Sequence, residues 1–182
     1  MSKARLQKEI SGFSREQLIE VILDAYSSSA DAKKYFDFFL NPDAGKLRQE
    51  KENIIAKELS RGKWGTCKAR ISVIKRALKE FQAFKGDEGN YAALCGNTLM
   101  MMLGQQQYLD YPEALFNGTA YVAVEYVKTR TAAAGLDEAL KNAESIINKM
   151  ARPRMANIVR TAIKDYCDSL KNKIPETKTS EK

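Results

Sequence analysis

The side chains with the clearest chemical potential are basic, and most of them lie in one short segment. Residues 61–85 contain eight Lys or Arg residues and one acidic residue, an excess equal to the +7 net charge of the whole chain. Such side chains attract phosphates by Coulomb force and counterion release, and a Trp can stack on a nucleic-acid base. The predicted polyanion-binding residues in this segment are Arg61, Lys63, Trp64, Lys68, Lys75, Arg76 and Lys79.

A second basic set, Arg160, Lys164 and Lys171, lies on the last predicted helix. At about 100° per residue, this set and the set of Lys68, Lys75 and Lys79 each form a stripe opposite the apolar face of a helix. If the two helices lie side by side, the stripes merge into one phosphate-binding surface. The other interpretation is that each stripe is only the solvated face of an amphipathic helix. The segment lacks the RNP aromatics, GXXG clamp or zinc-finger spacing of known nucleic-acid modules.

The absence of histidine excludes several classes of enzyme. Without an imidazole there is no Ser-His-Asp or Cys-His site, no zincin motif and no Glu-x-x-His di-iron site. Two weaker candidates remain, namely Cys67 as a reactive thiol at the start of a helix and Glu125 as a buried carboxylate. Asp110 and Glu113 are simpler as helix-capping charges. The sequence therefore predicts no catalytic residue, no metal site and no cofactor.

Helical periodicity and helix caps recur along the chain and predict an all-α fold of about eight helices. Ser14 and Gln17 form a capping-box pattern before the apolar stripe of the first predicted helix. Thr66 is the predicted N-cap of the fourth helix, and the fifth is predicted from about Tyr91 to Leu109. We expect one domain over residues 1–173, in which antiparallel helix pairs form a globular bundle or a short HEAT-like α-solenoid, followed by a disordered polar tail over residues 174–182.

Two further features bear on where the protein works. Its three cysteines are widely spaced and include no CxxC pair, which favours a reducing compartment. No stretch approaches the roughly 20 apolar residues of a membrane span, and the N-terminus has no secretory signal pattern. We therefore expect a cytoplasmic protein that has no membrane partner.

The N-terminal third resembles a known family. The segments "LIEVILDAY" and "AKKYFDFFLNP", followed by a helix that ends in "RGKW", are similar to the opening of an uncharacterised family of small all-helical bacterial proteins, over about residues 14–85. The resemblance implies an intracellular all-helical protein. It implies no catalytic or binding residues, because the family is a domain of unknown function.

These observations together predict a non-catalytic intracellular binding or adaptor module that presents helix faces to a macromolecular partner. We expect the partner to be a protein. The alternative is a nucleic-acid-associated protein that contacts phosphates, or another polyanion, through the two basic stripes.

Overall fold

The computed structural model describes residues 2–63, 65, 67–84, 87–105, 112–150 and 152–171. Over these residues the fold is all-α, as predicted, and the regular structure consists of nine helices and one isolated bridge between Arg61 and Cys67. The predicted tail over residues 174–182 lies outside the described residues. The helices group into two compact units, residues 1–43 and 44–182, and each is described by itself.

The first unit contains three helices, α1 (Lys3–Ile10), α2 (Arg15–Ser28) and α3 (Ala30–Leu40). Helix α1 was not predicted from the sequence, and it raises the number of helices from about eight to nine. The capping box before α2 is confirmed, because the Gln17 backbone N–H donates to Ser14 Oγ at 3.2 Å and the Ser14 N–H donates to Gln17 Oε1 at 2.8 Å. Helices α2 and α3 form a hairpin in which the Tyr26 hydroxyl donates to Asp37 at 2.9 Å.

The described residues of the second unit form six helices, which are built around two central ones. They are α4 (Ala44–Leu59), α5 (Ile71–Ala83), α6 (Glu88–Gly104), α7 (Ala114–Ala134), α8 (Leu136–Ile147) and α9 (Pro153–Lys171). Helix α6 packs against α4, α5 and α7, while α7 also packs against α8 and α9. The fully buried side chains come from all six helices and include Ile55, Phe81, Leu94, Val127 and Met155.

The three consecutive methionines of α6 divide between core and surface. Met102 is completely buried, Met101 is half-buried, and Met100 is 45% exposed. This is the expected result for a central core helix, because consecutive residues of a helix point in different directions. The methionines do not line a common groove.

The start of α5 differs from the prediction. The helix begins at Ile71, with Arg70 at the N-cap position, and the proposed cap Thr66 lies outside the described residues. Lys68 and Cys67 therefore belong to the preceding loop, so the α5 stripe keeps only Lys75 and Lys79 of its three predicted lysines. Cys67, a weaker candidate as a reactive thiol at the start of a helix, instead precedes the first helical residue by four positions.

Candidate binding surfaces

The basic loop is anchored to α4 through a buried carboxylate. Glu58 accepts two hydrogen bonds from the Arg70 guanidinium, at 2.8 and 2.5 Å, and its backbone carbonyl accepts from the Ala69 N–H at 3.1 Å. The Arg70 hydrogen bonds hold the pKa of Glu58 below its usual value. Ala69 is buried and has a positive φ of 48°, a left-handed conformation that L-residues rarely adopt. The loop is thus fixed where it joins α5.

The other predicted residues of this loop differ in their exposure to solvent. Lys63 and Lys68 are exposed to solvent, while Arg61 is half-buried and donates to the Gly65 carbonyl. Trp64 lies outside the described residues. The structure therefore brings two exposed lysines to the loop, but it gives no position for the aromatic ring that was predicted to stack on a base.

The outer face of α5 carries the remaining cations of the first set. Lys75, Arg76 and Lys79 line an open depression of about 480 Å³. Glu80 lies in the same depression and forms an ion pair with Arg76, with 3.7 Å between Glu80 Oε1 and Arg76 Nε. The Lys75 ammonium lies 4.4 Å from the centre of the Tyr121 ring on α7, a cation–π contact. Two of the three cations thus already have partners within the protein.

Glu80 also serves a buried lysine that sequence reasoning missed. Lys51 on α4 has only 5% of its side chain exposed, and its ammonium lies 2.9 Å from Glu80 Oε2 and 3.6 Å from Glu50 Oε1. A buried cation requires a partner. The one acidic residue of the basic segment is therefore placed where it neutralises Lys51, which lowers the positive potential of the α5 surface.

The second basic set lies on one wall of a groove between α8 and α9. The groove has a volume of about 520 Å³, and its floor is formed by five apolar side chains: Leu140, Ala143, Ile147, Ile163 and Cys167. Its rim is charged and carries Lys141, Glu144, Arg160, Lys164, Asp168 and Lys171. Both helices pack along α7 but contact each other only over a short stretch, which leaves this groove open.

The cations of the rim differ in how they are neutralised. Arg160 pairs with Glu144 at 3.1 Å, and Lys171 lies 3.5 Å from Asp168. Neither Lys141 on the α8 wall nor Lys164 on the α9 wall has an ion-pair partner among the described residues. The rim thus carries an excess of two positive charges, one on each wall, above an apolar floor.

The two basic sets do not form one surface through helix pairing. Helix α5 packs against α4, α6 and α7, whereas α9 packs against α7 and α8. The α5 and α9 pair is not among the pairs of helices in substantial contact. The side-by-side arrangement on which the merged stripe depended is therefore absent from the described part of the chain.

Exposed apolar side chains are concentrated in the first unit. Among the described residues, ten large hydrophobic side chains are exposed, and all but Met100 belong to residues 1–43. No residue of α1, α2 or α3 is buried. Exposed apolar clusters on this scale mark interaction surfaces.

Two of the predicted carboxylate candidates, Glu125 and Glu113, lie in ion pairs. Glu125 on α7 is 12% exposed, pairs with Lys128 at 2.7 Å, and accepts a hydrogen bond from the Tyr91 hydroxyl at 3.3 Å. Glu113 is exposed and pairs with Arg154 at 3.1 Å, while Asp110 lies outside the described residues. Burial raises the pKa of the Cys95 thiol to about 12. Glu125 thus lies in an ion pair and a hydrogen bond, and the Cys95 thiol is near it, because Tyr91 interacts with both side chains.

The described residues contain neither a candidate metal site nor a helix suited to cross a bilayer. No three His, Cys, Asp or Glu side chains in this part of the chain are grouped so that they could hold a metal ion. None of the helices whose residues the structure describes has both the length and the apolar character needed to cross a membrane.

Comparison with known proteins decides the family. A family model described as a family of unknown function, DUF6155, matches residues 1–98, which are more than half of the chain. The chain belongs to the DUF6155 family. The resemblance noted over residues 14–85 is thereby confirmed and extended in both directions. Searches of the curated proteins and of the solved structures found no match.

The residues matched by the DUF6155 model include some of the candidate surfaces but not all of them. Residues 1–98 include the apolar surface of α1–α3, the basic loop and all of α5, whereas α8 and α9 come after this range. The α8–α9 groove was not predicted from the sequence. The sequence does show oppositely charged residues three positions apart on each helix, Lys141 and Glu144 on α8 and Asp168 and Lys171 on α9. This spacing places charges on one side of each helix, but it does not show that the two helices diverge.

Proposed function

We propose that the protein is a non-catalytic binding module whose α8–α9 groove receives an acidic segment of a partner protein. The proposal rests mainly on Lys141 and Lys164, two lysines without an ion-pair partner among the described residues, which lie on opposite walls above the apolar floor. A volume of about 520 Å³ accommodates one or two large apolar side chains. Carboxylates on either side of such a side chain would reach both lysines. A cytoplasmic location and a bacterial source are part of the same proposal.

Three properties of the groove support a protein segment as its occupant. Its floor is apolar, whereas a phosphate backbone offers no side chain to fill it. Glu144 and Asp168 on the rim would repel a uniformly charged polyanion, but a peptide of mixed composition can avoid them. Helices α8 and α9 are both held along α7, so the groove is preformed and little ordering cost is expected on binding.

Selection from a random peptide library on the full-length protein tests the proposal. We expect the selected peptides to share a Leu or aromatic residue flanked by Asp or Glu, and to bind with roughly micromolar dissociation constants. Replacing both lysines, Lys141→Glu with Lys164→Glu, should weaken binding by at least about 10-fold, because two attractive charges become repulsive.

A matched control separates the site from the net charge. Lys57 and Lys149 are exposed lysines outside the groove, so Lys57→Glu with Lys149→Glu makes the same change of charge elsewhere. This control variant should bind the selected peptides as the unmodified protein does. The proposal is refuted if selection yields no shared pattern, or if both double variants bind equally.

A nucleic-acid-associated role is the second candidate, and the α5 depression favours it. Lys75, Arg76 and Lys79 line that depression, and Lys68 lies in the loop before the helix. The full-length protein should then be retained on a heparin column and elute steeply as salt rises. Replacing Lys68, Lys75 and Lys79 together with Glu should abolish the retention. Passage of the unmodified protein through the column at low salt would exclude this role.

A further inference from the structure

The three helices of the first unit do not bury any of their residues. None of the 33 residues in α1, α2 and α3 is buried, although the hairpin of α2 and α3 contains an aromatic contact between Tyr26 and Phe36 with ring centres 6.5 Å apart. Isolated helices of this length are marginal in water, and most helical stability comes from packing an apolar face. The hairpin therefore presents apolar faces without a core of its own.

The exposed apolar side chains follow the helical repeat. Ile19, Ile22 and Leu23 have the i, i+3, i+4 spacing of one face of α2, and they are 46%, 45% and 57% exposed. On α3, Phe39 and Leu40 are about 70% exposed. Val21 and Tyr35 complete a set of seven exposed large hydrophobic side chains on these two helices. Such a set is typical of helix faces that pack against another pair of helices.

The exposed area matches what a dimer requires. Val21 lies about 160° around α2 from Ile19 and so faces away from the rest of this set. The other six side chains leave the equivalent of just over three complete side chains exposed, or roughly 650 Å² at about 200 Å² for each large side chain. A standard interface buries about 800 Å² on each partner, of which a little over half is apolar. The apolar area of the hairpin therefore exceeds the apolar share of such an interface.

The charges of the unit favour a second copy as the occupant. Residues 1–43 contain six basic and seven acidic side chains, so two copies repel each other only weakly. Within the hairpin, α2 has Glu16, Glu20 and Asp24 against a single arginine, whereas the two lysines of α3 are balanced by two aspartates, Asp31 and Asp37. A two-fold axis that sets α2 of one chain against α3 of its copy therefore places each acidic α2 beside a neutral helix and not beside a second acidic one.

We infer that the hairpin of α2 and α3 pairs with that of a second copy of this chain, across a two-fold axis, to form a four-helix bundle. The inference is independent of the α8–α9 groove, because it rests on a different unit. It assigns the exposed apolar side chains of the first unit to a self-complementary interface.

Light scattering coupled to size-exclusion chromatography tests the inference on the full-length protein. Between about 1 and 200 µM, the range in which micromolar dimers form, we expect the mass to rise from one chain to two. Phe39→Glu with Leu40→Glu should raise the dimer dissociation constant at least about 100-fold. Met100→Glu is the matched control, because Met100 is 45% exposed in the second unit, and it should leave the dimer unchanged.

A second variant and further measurements distinguish a lost dimer contact from a misfolded protein. Ile19→Lys with Leu23→Lys changes the other helix, and circular dichroism shows whether each variant keeps its helix content. Hydrogen exchange of α2 and α3 should slow as protein concentration rises, because dimerisation protects these helices. A monomer at about 200 µM, a mass above two chains, or an unchanged dimer in both variants would each overturn the inference.

Discussion

The ion pair between Lys51 and Glu80 predicts that substituting its two members changes the free energy of unfolding by unequal amounts. The Lys51 side chain is 5% exposed, whereas that of Glu80 is 44% exposed. Their separation of 2.9 Å corresponds to a gross attraction of roughly 6 kcal/mol at an effective dielectric constant of about 20. Removing Lys51 leaves a carboxylate that water can solvate, but removing Glu80 leaves a buried ammonium. The cost therefore depends on which partner is lost.

Glu80→Gln should lower the free energy of unfolding by about 2 kcal/mol. Breaking a fully buried pair costs about 3–5 kcal/mol, and the cost is smaller here because Glu50 stays 3.6 Å from the ammonium. Lys51→Met keeps the aliphatic stem and removes the buried charge, so its effect should be within about 1 kcal/mol of zero. Urea unfolding followed by circular dichroism measures both changes.

The double variant completes the cycle. In the Lys51→Met background, Glu80→Gln should cost almost nothing, because no buried charge remains to be neutralised. The reasoning is refuted if Lys51→Met alone costs as much as Glu80→Gln, or if the cost of Glu80→Gln persists in the double variant. Glu80→Gln should also lengthen any retention on heparin, since it removes the one acidic residue within residues 61–85.

Three further predictions concern packing, pH and thiol reactivity. Gly118→Ala should cost roughly 1 kcal/mol in urea unfolding, because a Cβ there overlaps the Ile71 side chain and the overlap outweighs the gain in helix propensity. Ile71→Val removes Cδ1, the nearest atom, and should reduce the cost without abolishing it, because Cγ1 and Cγ2 stay 3.0 and 3.2 Å from the added Cβ. Hydrogen bonds from Arg70 lower the pKa of Glu58 in the folded protein. The ionised carboxylate therefore stabilises the fold fully at pH values above the usual pKa of 4.5, and this contribution is lost as pH falls through the lowered pKa of the folded state. Urea unfolding at several pH values should therefore decline less steeply under acid in Glu58→Gln, and an unchanged slope would contradict this. Burial raises the pKa of Cys95 to about 12, so a thiol reagent at mildly alkaline pH should modify it only after unfolding; rapid modification in the folded protein would show that the site opens.

Local signals predicted the helices well where a single helix contains all the determinants. The capping box of Ser14 and Gln17 needs only four consecutive residues, and the basic stripe of α9 needs only its own periodicity. Helix α1 was missed because it has only eight residues and few of them are apolar, so it lacks a stripe long enough to indicate a helix.

The start of α5 could not be predicted because a tertiary contact decides it. Thr66 is a favourable N-cap residue by type, yet the chain stays non-helical until Ile71. The reason lies on α4, where Glu58 binds the Arg70 side chain and the Ala69 backbone. Glu58 lies 12 residues before Arg70, so a prediction of helix caps from adjacent residues does not take it into account. Placing Lys68 on the helix was wrong for this reason.

The α8–α9 groove shows the same limit for a binding surface. The stripe of Arg160, Lys164 and Lys171 was predicted from helical spacing, and all three residues do line one wall. Lys141 on the opposite wall was missed, because the sequence does not show how α8 and α9 diverge after packing against α7. Each wall is encoded locally, but the space between the walls depends on the crossing of three helices.

The range of the family match bears on how the two proposed surfaces relate to the DUF6155 family. Residues 1–98 include the hairpin of α2 and α3, whereas the groove is built from residues 140–171. If the two-fold pairing is correct, relatives that match over this range and keep apolar residues at the positions of Ile19, Ile22 and Phe39 should also dimerise. Peptide binding in the groove should instead vary among relatives, since the matched range contains none of its lining residues. A relative that has the hairpin pattern and stays monomeric at about 200 µM would therefore count against the self-association without affecting the groove.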